Sequence, residues 1–261
     1  VGNEAMVHWA ASYFVHPSVI LKYVKYLQEL KSMGKLSPDL WITSSDNFAS
    51  WGGAEDAYHN ESLTELIHAV DYISMHTYPF HDTHYNRGFW EQDALFSDSL
   101  SDSLQVLAAM ERAANYAKGQ YESVKRYMHT VGADKPIHIG ETGWATVSVG
   151  HYGENGSFAA DEYKEALYYN AMREWTEKEG MSCFYFQAFD EQWKDPNHPR
   201  GSENHFGLFT IDGKAKYAFW ELVDQGAFEG LGRNGQPITK TFEGDVEALM
   251  ETVRTPKTKG H

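Results

Sequence analysis

The chain has 261 residues, enough for one large single-core domain or two small ones. Its formal net charge of −15 disfavours nucleic acid, acidic polysaccharides and anionic membranes, and no apolar run approaches the ~18–20 residues of a membrane span. One cysteine, Cys183, allows no internal disulfide, whereas 8 Trp and 16 Tyr supply rings that either fill a large core or stack on sugar faces.

In chain order, Val1-Gly2-Asn3-Glu4 reads as the tail of a strand. Ser18 is expected to cap a helix running to about Met33, with Val19, Ile20, Val24, Leu27 and Leu30 at helical spacing. Leu40-Trp41-Ile42-Thr43 reads as a strand, and Ser62 as the cap of a helix over 63–69. The run 70–75 is a further strand, 104–128 a long helix, 137–139 a strand, 159–178 a helix, 182–186 a strand and 217–223 a last short helix. Strands alternating with helices predict an α/β fold with a parallel sheet. Residues 1–225 are read as part of one domain, and 226–261 as a peripheral extension of it.

The strand-like runs end alike. Leu40–Thr43 leads into Ser44-Ser45-Asp46-Asn47-Phe48, and 70–75 into His76-Thr77-Tyr78-Pro79-Phe80. The run 137–139 leads into Gly140-Glu141-Thr142-Gly143-Trp144, and 182–186 into Gln187-Ala188-Phe189-Asp190-Glu191. A (β/α)₈ TIM barrel gathers such strand ends at one mouth, where active sites lie. A doubly wound sheet does so too, but it usually carries a Gly-rich phosphate turn, and none is found.

Glu4 and Glu141 are the candidate catalytic carboxylates. Glycoside hydrolysis by the usual route needs two, one to protonate the leaving oxygen and one to attack the anomeric carbon or activate water. A barrel can bring glutamates from distant strands to the ~5 Å of a retaining pair.

Val1-Gly2-Asn3-Glu4 resembles the acid/base motif of family 17 glycoside hydrolases, the β-1,3-glucanases and related glucanosyltransferases. Gly140-Glu141-Thr142-Gly143-Trp144 resembles their nucleophile motif, and Phe186 to Lys194 their last-strand motif. Glu203-Asn204-His205-Phe206-Gly207-Leu208-Phe209 resembles the segment after it, so four motifs fall in the family's order, to about Val223. The resemblance implies Glu4 as general acid/base and Glu141 as nucleophile, with Asn3 on the sugar 2-hydroxyl. It implies Tyr78 against the sugar or the nucleophile, Trp144 on the cleft floor, and Glu191, Lys194 and Glu203 as polar groups around the site. Phe189 and Trp193 are either sugar platforms or the packed underside of a loop; Trp41, Phe48 and Trp51 are further candidate platforms.

The same resemblance places Glu4 at the end of barrel strand four, so the (β/α)₈ barrel is expected here only from there onward, in unpermuted order. The implied activity is a retaining endo-β-1,3-glucanase acting on laminarin-type β-1,3-glucan, with no cofactor and no metal. The alternatives are a β-1,3-glucanosyltransferase using the same glycosyl-enzyme intermediate and an inactive glucan-binding barrel. A metal site at His76, His81, Asp82 and His84 has zinc-type ligands without a trusted spacing, and a structural Ca²⁺ in the acidic loop 190–204 is a further alternative. The expected partner is β-1,3-glucan, with no nucleic acid and no membrane span. The protein is expected to be a monomer, and a polymer substrate implies a secreted, periplasmic or cell-surface location.

Overall fold

A computed structural model describes residues 1–54, 56–93 and 99–256. In chain order the main elements are α1 (Pro17–Ser32), β1 (Ser45–Asn47), α2 (Glu61–Ala69), β2 (Ile73–His76), α3 (Pro79–Tyr85), α4 (Asp102–Thr130), β3 (Ile137–Thr142), α5 (Glu162–Lys178) and β4 (Cys183–Tyr185), with a short helix Trp220–Asp224 near the end. The four strands form one sheet in the order β1-β2-β3-β4, and the β1–β2 and β2–β3 pairs are parallel. This is the α/β alternation expected from the sequence. No helix among the described residues is long and apolar enough to cross a membrane.

The chain divides into two compact units. The first comprises Val1–Thr77, Ala117–Thr142 and Thr176–Phe184, and the second Tyr78–Tyr116, Gly143–Trp175 and Tyr185–His261.

In the first unit, helix starts follow local chemistry more closely than the nearest serine. α1 begins at Pro17, whose fixed φ suits a first helical position, and the His16 ring Nδ1 accepts the Ser18 amide at 3.2 Å. α2 is capped by Asn60, whose Oδ1 accepts the Leu63 amide at 3.0 Å, so Ser62 lies inside the first turn. Leu63, Leu66 and Ile67 fall on one helix face and have no exposed surface. Each contributes roughly 1.5–3 kcal/mol of burial. The expected strand at 40–43 is replaced by the polar β1 at Ser45–Asn47. The Asp71 carboxylate accepts the Ile42 amide at 2.8 Å and the Asp71 amide donates to the Ile42 carbonyl at 2.8 Å, which gives Ile42 partners outside a sheet ladder.

The feature that aims the site is in β3. Its register against β2 runs Ile73 with Ile137, Ser74 with His138 and Met75 with Ile139, then jumps to His76 with Glu141. Gly140 is the extra residue of a β-bulge. A bulge re-aims the side chain beyond it, here Glu141.

The second unit is built on aromatic packing. Trp144 lies 5.4 Å from Phe80, 5.7 Å from Trp90 and 5.1 Å from Tyr168, ring centre to ring centre. All four side chains are buried, and Trp144 Nε1 donates to the Ala159 carbonyl at 2.8 Å. Leu208, Phe209 and Ala215 form another cluster, onto which Phe228 and Ile238 pack. Thr241 donates to Glu162 Oε2 at 2.6 Å, so part of the segment expected to be peripheral helps close this unit. Its residues 257–261 lie outside the described residues.

The second unit also buries charge. Lys216 Nζ donates to Asp190 Oδ1 at 2.8 Å and to Thr146 Oγ1 at 2.7 Å, and Lys164 pairs with Asp161. Glu165 of α5 is fully buried, and among the described residues neither of its carboxylate oxygens has a hydrogen-bond partner.

Candidate active site

Glu4, His76 and Glu141 meet in the first unit. One ligand atom from each lies within 4.8 Å of the others, so the two carboxylates approach within that distance. That closeness is compatible with the ~5–5.5 Å separation of a retaining glycosidase pair.

The backbone produces the meeting in two ways. Asn3 forms a parallel bridge with Ser45, and Glu4 N donates to the Ser45 carbonyl at 2.9 Å, which brings the first residues alongside β1. Glu4 itself has φ of +47°, a left-handed conformation that disfavours a side chain. Such strain collects at functional sites when the surroundings hold it in place. Part of that hold is Asp46, fully buried, whose two oxygens accept the Met6 and Asn47 amides at 2.9 Å each. Burial pushes the Asp46 carboxyl above the usual range, and those amides pull it back down. On the other side of the site, the Gly140 bulge carries Glu141.

His76 joins the two acids. Its ring is fully buried, with Nδ1 at 3.1 Å from Glu4 Oε1 and 3.6 Å from Glu141 Oε2. Nε2 lies 2.6 Å from Ser45 Oγ, which lies 2.8 Å from Ser74 Oγ. The imidazole is thereby fixed at both nitrogens, and Glu4 and Glu141 remain partly open to solvent. One imidazole and two carboxylates are also ligand types for a divalent cation.

Asn3 is exposed beside this trio in the chain. Tyr78, Trp144, Phe189, Glu191, Trp193, Lys194 and Glu203 lie in the second unit. Tyr78 sits edge-on to Phe206, with ring centres 6.1 Å apart. Lys194 Nζ is 3.7 Å from Glu191 and 3.8 Å above the Phe186 ring, and Glu203 is exposed in the turn Ser202–Asn204. Trp193 is 71% exposed.

Trp144 departs from the cleft-floor reading and Trp51 from the platform reading, whereas Phe189 takes the packed alternative. Trp144 has no exposed surface and holds the aromatic core, so it offers no face to a sugar. Trp51 is equally buried, its Nε1 donating to the Ser74 carbonyl at 3.0 Å. Phe189 has the Arg233 guanidinium 4.0 Å above its ring and Phe209 stacked at 5.3 Å, so it packs beneath a loop.

The histidine group read as a metal alternative separates. His76 belongs to the carboxylate site, whereas His81 Nδ1 bonds the Tyr152 hydroxyl at 3.0 Å and His84 stacks on His151 at 3.9 Å. Sequence reasoning missed His76 as the bridge between the acids, and with it Ser45, Ser74 and Gly140. A signal existed: 70–75 ends at His76 as 137–139 ends at Gly140-Glu141, and both ends point one way in a parallel sheet.

A family model described as the BtgE/BtgC glycoside hydrolase domain matches residues 1–207. The chain is 62% identical to an endo-laminarinase from Formosa Hel1_33_131 of known crystal structure, covering 100% of this chain and 66% of that one with a TM-score of 0.97. It is 28% identical to a glucan 1,3-beta-glucosidase of Arthroderma benhamiae over 73% of this chain and 54% of that protein, about half of the relative's length. An active-site mutant of a Rhizomucor miehei beta-1,3-glucanosyltransferase, in complex with laminaritriose, shares the fold at 19% identity and a TM-score of 0.52, over 92% of this chain and 63% of that one. The parallel α/β succession is thus part of a (β/α)₈ barrel.

Proposed function

The chain belongs to the BtgE/BtgC glycoside hydrolase family and is a family 17 β-1,3-glucanase-like protein, and on that premise we propose that it hydrolyses laminarin-type β-1,3-glucan internally, with retention of configuration. The observation that carries the reading is the approach of the Glu4 and Glu141 carboxylates to within 4.8 Å, with His76 between them. The likeness to an endo-laminarinase supports the substrate class.

In this reading Glu141 attacks the anomeric carbon while Glu4 passes its proton to the leaving glycosidic oxygen. The carbon–oxygen bond breaks and a glycosyl ester forms on Glu141. Glu4, now a carboxylate, takes a proton from water as that water attacks the same carbon. The ester bond breaks and Glu141 leaves as a carboxylate. His76, bonded to the Ser45–Ser74 hydroxyls, keeps the two acids at a fixed separation. Asn3 bonds the 2-hydroxyl of the reacting sugar. A neutral polymer is compatible with the net charge of −15. The protein works alone outside the cytoplasm, where a large polymer is met.

Replacing water by a sugar hydroxyl turns the second step into glucanosyl transfer. Trp193 presents an exposed indole, a face of the kind on which sugars stack. Digestion of laminarin, curdlan, lichenan and a β-1,6-glucan side by side tests linkage and reaction together. Release of laminari-oligosaccharides from the first two supports hydrolysis, and products longer than a starting oligosaccharide favour transfer. No product from any β-1,3-glucan would sink both.

A further inference from the structure

The reaction moves one negative charge between two side chains, and His76 faces both. Carboxylates as close as those of Glu4 and Glu141 repel, so the pair holds one charge at a time. Before the sugar bond breaks, the charge is on Glu141 and the proton on Glu4. Once Glu141 is an ester, the charge is on Glu4. A group that stabilised only one of these states would deepen it and slow the exit from it.

His76 is placed to serve both. It pairs across β2 and β3 with Glu141, and its ring is fully buried. Its backbone is held: the carbonyl accepts the Phe48 amide at 3.1 Å, and the next amide, of Thr77, donates to the Glu141 carbonyl at 3.0 Å. Nδ1 lies 3.1 Å from Glu4 Oε1, inside hydrogen-bond range, and 3.6 Å from Glu141 Oε2, just outside it. Movement of the partly open glutamates by about half an ångström exchanges the two.

The far side of the ring decides where its hydrogen sits. Nε2 meets Ser45 Oγ at 2.6 Å, and that oxygen meets Ser74 Oγ at 2.8 Å. A hydroxyl donates or accepts, whereas an ionised carboxylate only accepts. The nitrogen that faces the carboxylates therefore carries the hydrogen, and the Ser45 hydroxyl donates to the other. Asp46, a further acid whose field reaches His76, commits its oxygens to the Met6 and Asn47 amides at 2.9 Å each.

We propose that the Nδ1 hydrogen of His76 follows the charge, bonding Glu141 when Glu141 is ionised and Glu4 in the glycosyl-enzyme. The 3.1 Å contact is the arrangement for an ionised Glu4. His76 is then a positioning residue and gives up no proton. At glycosylation the Glu4 proton goes to the leaving oxygen, Glu141 bonds the anomeric carbon, and the hydrogen bond passes from Glu141 to Glu4. When water attacks, it gives Glu4 a proton, the ester bond breaks, and the hydrogen bond returns to Glu141. The inference rests on the glucanase reading and adds a hydrogen bond that changes partner at each step.

The test uses the whole chain with isotope-labelled histidine, followed by nuclear magnetic resonance. Spectra are compared before and after reaction with an activated 2-deoxy-2-fluoro laminaribioside, which leaves a long-lived ester on Glu141. His76→Asn identifies the His76 signals among the 13 histidines. Hydrogen on Nδ1 and none on Nε2 is expected in both states, with the Nδ1–H resonance displaced by esterification. Hydrogen on Nε2 beside a bare Nδ1, or a resonance indifferent to the ester, overturns the inference.

A pH profile gives a second readout. His76→Leu removes the donor, and the acid limb of kcat/KM on laminarin is expected to rise by about one pH unit. The alkaline limb should stay, because a single N–H serves only the first of two charges. His76→Asn, whose Nδ2 replaces Nδ1, should recover part of the shift. In a folded His76→Leu variant, limbs that stay put make the ring a mere spacer, and limbs that move together make it a charged group; either overturns the inference. If the unsubstituted enzyme neither cleaves any β-1,3-glucan nor forms the ester, the glucanase reading itself has failed and the inference falls with it.

Discussion

A β-carbon on Gly140 would fall 2.1 Å from the Ser74 hydroxyl oxygen. The same carbon would lie 2.5 Å from Ser45 Oγ and 3.3 Å from the His76 ring. The bulge that aims Glu141 is therefore packed directly against the hydroxyls that fix His76, and only hydrogen fits between them. Gly140→Ala is expected to displace either the bulge or the hydroxyls. Misplacement by about 1 Å costs about 10²-fold in rate. The measurement is kcat on laminarin alongside circular dichroism; full activity in a folded variant would show that the packing does not set the geometry.

Ser45 makes a narrower test of the same line. Its hydroxyl partners Nε2 of a fully buried imidazole at 2.6 Å. Ser45→Ala leaves that nitrogen without this partner and is expected to cost about 1–3 kcal/mol of stability. Denaturant unfolding measures the loss, and kcat should fall with it because the imidazole loses one of its two anchors. Unchanged stability and rate would mean that the serine hydroxyls are incidental.

The two carboxylates have different duties and their losses should be separable. Glu4→Gln is expected to lower kcat roughly 10²–10⁴-fold on glucan, the usual contribution of a general acid. Substrates with good leaving groups need no proton and should suffer less in the first step. Glu141→Gln removes the bond-forming group, and the leaving group should not rescue it. Equal losses on both substrate types for Glu4→Gln would argue against its acid role.

Much of this site is written in local sequence. The parallel alternation and the position of the two glutamates at the ends of 1–4 and 137–141 are local features, readable in one short window each. Residues whose roles depend on distant neighbours were not readable. The fate of Trp144 turns on Phe80, Trp90 and Tyr168, which surround it from three other segments. That of Phe189 turns on Arg233, 44 positions away by sequence number. An exposed and a buried tryptophan look alike in sequence, and Trp193 and Trp144 fall on opposite sides. The buried charges of α5 were hidden for the same reason: at helical spacing Lys164 and Glu165 look like a solvated face.

Glu165 supplies a prediction on pH and stability. Burial is the main cause that pushes its carboxyl well above the ordinary glutamate value of 4.5, opposed by Lys216 and reinforced by Glu162, Asp190 and Asp161. A raised pKa means that the folded state keeps a proton which the unfolded state gives up. The stabilisation is complete below the ordinary value and is lost as pH rises toward and through the folded value. Glu165→Gln keeps the shape of the neutral acid and cannot ionise. The variant is expected to match the parent in melting temperature near the acidic end and to exceed it increasingly as pH rises above the ordinary glutamate value. Two melting curves that stay parallel across that range would show that Glu165 is charged in the folded protein, and that Lys216 is close enough to balance it.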